Sequence, residues 1–127
     1  MNARGRTKSM RKVAVLMMLV TVSMVGNVAA RTGEEGIASF YSDRFEGKRT
    51  ASGQIYRPDG LTAAHRNLPH GTKVKVSNVE NGKSVVVTIN DRMAKSNRVV
   101  IDVSRRAAER LGFVKAGRAR VKLEVQR

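Results

Sequence analysis

The segment Lys73-Val74-Lys75-Val76-Ser77 alternates polar and apolar residues, and beyond an Asn81-Gly82 pair the run Val85-Val86-Val87-Thr88-Ile89 is almost wholly β-branched. A period of two is the pattern of a strand with one face in a core, and Asn-Gly tolerates the positive φ angles a tight reversal needs. The two runs therefore predict an antiparallel hairpin. In it Val74, Val76, Val85, Val87 and Ile89 face the core, while Lys73 and Lys75 face solvent.

The rest of the chain supplies partners for that hairpin. Gly36 to Tyr41 is β-prone and ended by Ser42 and Asp43, which reads as a first strand. Residues 44–60 carry the breakers Gly47, Gly53, Pro58 and Gly60, a loop long enough to suggest a binding wall. Val99 to Val103 is a further β stretch leading into Ser104, which can cap a helix over Arg105 to Leu111 before Gly112 ends it. Ala107, Ala108 and Leu111 form its apolar stripe. Ala119 to Val125 alternates again as a closing strand. One short helix among at least four strands, with no internal repeat, argues a mainly β fold: a small barrel whose closure removes exposed sheet edges.

The first thirty residues belong to a different problem. Arg4, Arg6, Lys8, Arg11 and Lys12 precede the uncharged run Val13 to Val25, and Val28 and Ala30 place small residues before a cleavage point after Ala30. That is the layout of a secretory signal peptide, and 13 apolar residues fall short of the ~20 that a membrane-spanning helix needs. An uncleaved anchor is the alternative. The expected organisation is a signal peptide at 1–30, a short leader at 31–35 and one barrel domain at 36–127. The signal segment holds five of the 25 Lys and Arg and none of the 10 acidic residues, so the remaining 97 residues still carry +10.

Charge and composition narrow the partners. No cysteine is present, which excludes disulfides, thiolate metal sites, a cysteine nucleophile and a lipid anchor on cysteine. Two histidines, His65 and His70, without paired spacing make a zinc site unexpected, and no metal or other cofactor is expected. For an exported basic domain nucleic acid is an unsuitable partner, and three Phe with two Tyr are too few for a base-stacking platform. No stable membrane span is expected after processing. An anionic cell-wall polymer remains, met in the periplasm or outside the cell by a monomer that is not lipid-anchored.

Polar residues at the ends of β stretches are the candidates for chemistry: Thr50 to Gln54, Thr62 to His65, and Asn90-Asp91-Arg92. Asp91 follows an apolar strand, where a carboxyl at a barrel mouth can exchange protons, or where it simply bonds the N–H groups of a turn. His65 is either a site residue or a half-buried ring satisfied by backbone. Asp102 lies within an apolar strand and reads as structural, bonding backbone or Arg98. Arg44, Lys48, Arg49, Arg57 and Arg66 form an anion-binding rim or a solvated face.

The order and spacing of these pieces resemble one family, RlpA (rare lipoprotein A). The similarity runs from Gly36 to about Val125 and includes Gly36-Ile37-Ala38-Ser39-Phe40-Tyr41, Thr50-Ala51-Ser52-Gly53, Leu61 to Pro69, Val85 to Arg92 and Ile101-Asp102-Val103-Ser104. The resemblance implies a six-stranded double-psi β-barrel with one or two short helices. It also implies an endolytic lytic transglycosylase, cleaving MurNAc–GlcNAc bonds of peptidoglycan glycan strands to leave 1,6-anhydromuramyl ends. Three positions carry the family's catalytic residues: Asp91, His65 and, where the family has an acid, Gln54. His65 is expected to orient Asp91, with Tyr41, Phe45, Thr50, Ser52, Asn90 and Arg92 contacting substrate. Phe40, Ser42 and Met93-Ala94 stand where Trp, Gly and Gly-Pro are common in the family. With Gln54 unable to titrate, the competing expectation is a non-catalytic, expansin-like wall-binding or wall-loosening module gripping glycans through Tyr41, Phe45 and the basic rim. A basic defence or toxin-like protein acting on another cell's envelope is a weaker third.

Overall fold

The computed structural model describes residues 33–127; the expected signal peptide and its cleavage point lie outside them. The elements in chain order are β1 (Glu34–Phe40), a 3-10 turn (Asp43–Phe45), β2 (Thr62–His65), β3 (Lys73–Asn78), β4 (Ser84–Arg92), β5 (Ile101–Val103), helix α1 (Arg105–Leu111) and β6 (Ala119–Gln126). The six strands close into one barrel in the order β1-β5-β2-β4-β3-β6. Two neighbouring pairs are parallel, β1 with β5 and β2 with β4; the other four are antiparallel. The mainly β barrel with one short α-helix is as the sequence predicts.

The hairpin forms as its alternation requires. Val74 pairs with Val87 and Val76 with Val85, all inward and buried, as is Ile89, while Lys75 lies opposite the exposed Val86. Asn78 N–H donates to Lys83 O at 2.8 Å to close the connection, and Gly82 takes the positive φ of 79°. Helix α1 is bounded by the residues its ends call for. The Ser104 hydroxyl accepts from Ala107 N–H, and Gly112 adopts the left-handed conformation just past the last turn. Ala107, Ala108 and Leu111 pack with Phe113 into the barrel core.

Two boundaries differ from the sequence reading. Glu34 and Glu35, read as leader, are strand residues paired with Leu123 and Lys122, so the barrel begins at β1 from Glu34. Glu34 suits that place because its carboxylate approaches His65 Nε2 at 3.1 Å and Arg66 Nη1 at 3.6 Å, and Glu35 lies opposite Lys122 in the register. Val99 and Val100, read as strand, precede β5, although Val100 N–H still donates to Ile37 O at 2.8 Å. The strand missing from the alternation was β2: four residues, three of them buried, leave no polar–apolar pattern to read.

Candidate functional site

The loop from 50 to 54 is folded by its own polar groups and then fastened to the end of β4. Arg49 and Ile55 bridge, Thr50 N–H donates to Gln54 O at 2.7 Å, and the hydroxyls of Thr50 and Ser52 lie 3.0 Å apart. Three bonds tie this turn to β4. Ser52 N–H donates to Asn90 O at 3.3 Å, Ala51 N–H to Asp91 Oδ1 at 2.8 Å, and Asn90 Nδ2 to Gln54 Oε1 at 3.1 Å. Residues far apart in sequence are thereby gathered at one strand end.

Asp91 is the centre of this arrangement. Its Oδ1 accepts from Ala51 N–H and Arg92 N–H, both at 2.8 Å, and its Oδ2 from the Tyr41 hydroxyl at 2.5 Å. An ionised carboxylate offers roughly four acceptor positions, so both positions on Oδ1 are taken and one on Oδ2 is left. The Tyr41 ring stacks on Tyr56 with centroids 4.3 Å apart and meets Phe45 edge-on at 6.0 Å. With Ala64, and with Met93 packed against them, the two tyrosines make a small apolar cluster separate from the main core. Burial, then the bond to Asp91, pushes the Tyr41 phenol up; burial pushes Tyr56 up as well. Both phenols stay protonated, and Tyr41 is a fixed donor to Asp91.

Strand register sets a second carboxyl beside the first. Ala64 on β2 pairs with Asp91 on β4 and with Asp102 on β5, and Asp102 pairs in turn with Ser39 on β1. The row Asp91–Ala64–Asp102–Ser39 crosses four strands. The Ser39 hydroxyl donates to Asp102 Oδ1 at 3.0 Å. Burial raises Asp102 from its ordinary 3.8 to about 6; the Ser39 bond works against that rise and the nearby Asp91 charge adds to it.

His65 stands apart. Adjacent strand residues point to opposite faces, so with Ala64 packed against the tyrosines the His65 ring faces the other way. It is buried, accepts at Nδ1 from Asn67 and Leu68 N–H, both at 3.3 Å, and approaches Glu34 Oε1 through Nε2 at 3.1 Å. With both ring nitrogens occupied there, the expected orientation of Asp91 by His65 gives way to orientation by Tyr41. What His65 offers the site is its carbonyl, which accepts from Arg92 Nη1 at 3.0 Å. The guanidinium of Arg66 likewise donates to Asn97 O and Val99 O rather than standing in a rim.

Of the other expected contact residues, Phe45 is exposed and Tyr41 is buried, its hydroxyl committed to Asp91. Thr50 and Ser52 hold the loop. Gln54 and Asn90 lie in the shared wall of two grooves, one of about 450 Å³ with Ile55, Arg57 and Thr62, the other of about 260 Å³ reaching His70. Tyr56 and Asp102 are the residues sequence reasoning left out of the site. For Asp102 the signal was present: an acid with a core residue on either side within a strand. Among the described residues no three His, Asp or Glu side chains converge to hold a metal ion.

Residues 33–123 match a family model described as Lytic transglycolase, of the double-psi β-barrel type. The chain belongs to this family. Among curated members, a probable endolytic peptidoglycan transglycosylase RlpA of Nostoc sp. is 44% identical over 125 residues, covering 97% of this chain and 32% of the relative. An endolytic peptidoglycan transglycosylase RlpA of Neisseria meningitidis is 46% identical over 98 residues, 77% of this chain and 41% of the relative. The chain thus spans well under half the length of these relatives. Among solved structures, a Clavibacter michiganensis expansin in complex with cellohexaose shares the fold with a TM-score of 0.61 at 19% identity, over 75% of this chain and 50% of the expansin. A Streptomyces papain inhibitor does so with a TM-score of 0.60 at 22% identity, over 75% of this chain and 94% of the inhibitor. At these identities the two structures speak for the barrel fold and for nothing finer.

Proposed function

We propose that this protein is an endolytic peptidoglycan transglycosylase, exported through its N-terminal segment, with Asp91 as its proton carrier. The observation behind the reading is the one acceptor position left on Asp91 Oδ2, on a carboxyl that Ala51, Arg92 and Tyr41 hold in a single orientation. In the reaction the muramyl 6-hydroxyl attacks its own C1. The O6–C1 bond forms, the bond from C1 to the glycosidic oxygen breaks, that oxygen takes one proton and the hydroxyl gives one up. The nucleophile comes from the sugar, so no second carboxyl at a hydrolase separation is needed. Asp91 gives the first proton and recovers the second, general acid–base work by one group. Gln54, beside it through Asn90, holds a sugar hydroxyl or N-acetyl group in the groove wall, and Phe45 offers an exposed ring nearby.

The test is the appearance of 1,6-anhydromuramyl ends, by mass spectrometry, on purified glycan strands. Asp91→Asn keeps shape and most hydrogen bonds but cannot carry the proton, so product formation should fall by at least the ~10²-fold typical of general acid–base catalysis while glycan pull-down survives. Wild-type protein that binds strands and yields no anhydro ends would reject the enzyme in favour of the binding module. N-terminal sequencing of exported protein should begin at Arg31.

A further inference from the structure

Where β4 pairs with β2 it carries one residue more: Ala63 lies opposite Ile89, and the next residue, Ala64, opposite Asp91. Asn90 is the extra residue of that bulge, a device that re-aims a side chain. Its amide is turned to Gln54, and the two share the wall of a groove of about 450 Å³, within the ~300–1,000 Å³ of ligand clefts. The polar equipment of this groove is neutral but for one group. Gln54 and Asn90 bring amides, Thr62 a hydroxyl and Ile55 an apolar surface, while Arg57 is the one charged residue in its lining. The bond from Asn90 uses Gln54 Oε1 and leaves the Gln54 amide nitrogen to donate.

Arg57 also borders a second groove of about 450 Å³, but there Glu46 and Asp59 stand with it. An anion is repelled on that side and attracted on the side of Gln54. Other cations of the long loop are engaged elsewhere: Arg49 donates to Gly53 O at 2.8 Å, and Arg44 lies over the Phe45 ring, 5.0 Å from its centroid. Arg57 has no ion pair among the described residues, so its guanidinium is open to a ligand.

Resting on the proposal that peptidoglycan glycan strands are the substrate, we infer that this groove is a carboxylate subsite and Arg57 a specificity-determining residue. It binds the acidic group that each muramyl residue carries at C3 and the N-acetylglucosamine residues lack. That group is the lactyl carboxylate on a peptide-free residue, and a stem-peptide carboxylate where a peptide is attached. A guanidinium meets a carboxylate through paired N–H donors, and the Gln54 amide and Thr62 hydroxyl stand beside it as neutral donors. C3 is two ring bonds from the reacting C1, and Asn90 in the groove wall is the chain neighbour of Asp91, so the charge is read close to the bond that is cut. Acidic and neutral sugars alternate along the strand. Reading the acidic one therefore sets the register, and brings the MurNAc–GlcNAc bond rather than its alternate to Asp91.

The test is binding and cleavage of purified glycan strands in four forms: peptide-free or bearing stem peptides, each with its carboxyls free or converted to amides. Wild type should bind free-carboxyl strands about tenfold more tightly than amidated ones, the low end for a hydrogen bond to a charged group because Arg57 is exposed. Raised salt should narrow the gap. Arg57→Gln should melt with wild type, lose about tenfold in kcat/KM on free-carboxyl strands and lose nothing on amidated ones; Arg57→Lys should recover part of the loss. A gap confined to peptide-free strands assigns the lactyl carboxylate, and one confined to peptide-bearing strands assigns the stem peptide. Wild type indifferent to amidation in both kinds of strand, or a preference that survives in Arg57→Gln, overturns the inference and leaves the transglycosylase reading intact. Wild type that yields no anhydro ends overturns the enzyme, while carboxyl-dependent binding lost in Arg57→Gln upholds the subsite even then. Failure to bind any of the four forms overturns both.

Discussion

At the scale of single residues, the site was legible where chemistry follows from position and illegible where it follows from the pleat. Asp91 at a strand end could be singled out from the sequence because a carboxyl there sits at a barrel mouth, and the alternative of bonding nearby N–H groups is also met, at Ala51 and Arg92. That His65 would turn away from it could not, since β2 has no alternation from which to read its faces. Tyr41 is expected as a contact residue from the family resemblance, yet its burial and its bond to Asp91 give it a different task. Tyr41→Phe should keep the stack on Tyr56 and lose only the donor, so product formation should fall while the unfolding free energy in urea drops by no more than one hydrogen bond warrants, about 2 kcal/mol. Gln54→Glu tests the one departure from the family's acid. The glutamate retains an acceptor for Asn90 Nδ2 and adds a titratable group, and turnover measured by anhydro ends should rise. No change would mean that the amide suffices.

At the scale of elements, the hairpin and helix were predictable because each is specified locally, by alternation and turn in one case and by two caps in the other. The long loop was not, because its form depends on β4. Ser104 shows how the two kinds of information meet. Its hydroxyl caps α1 through Ala107 N–H and also donates to Gly60 O at 2.6 Å, while its N–H donates to Thr62 O at 2.9 Å. One residue therefore starts the helix and pins the end of the loop where β2 begins. Ser104→Ala leaves Gly60 O and a helical N–H unpaired in a fully buried place, and should cost about 2 kcal/mol in urea denaturation. Gly112→Ala is the companion at the other end. With φ at 78° and Asn81 Nδ2 only 2.9 Å from where its Cβ would sit, it should cost 1–2 kcal/mol, roughly the strain of a left-handed alanine. A loss confined to stability in both, with activity per folded molecule retained, would separate this end of the barrel from the chemistry.

At the scale of the whole molecule, a carboxyl buried in the strand row that contains Asp91 weakens the fold. Asp102 lies two strands from Asp91 because the barrel interleaves β2 between β4 and β5, and that neighbourhood is invisible in a chain where the two acids are separated by an apparent loop and strand. The sign of its effect on stability follows from the direction of its shift. Folding raises Asp102 from 3.8 to about 6, so the folded state holds the proton more tightly than the unfolded chain does. The resulting stabilisation is fully present below pH 3.8 and is lost as pH rises through about 6. Its size is on the order of 2–3 kcal/mol. Because other carboxyls titrate in the same acidic range, the measurement is a difference: unfolding free energy by urea from pH 4 to pH 8 for wild type and for Asp102→Asn. The variant carries no charge to desolvate at any pH, so wild type should lose stability relative to it between pH 4 and pH 7 and stand below it at pH 8. A variant that is less stable at pH 8 by more than it is at pH 4 would mean that the charged form of Asp102 supports the barrel, and that its burial is a structural requirement rather than a cost.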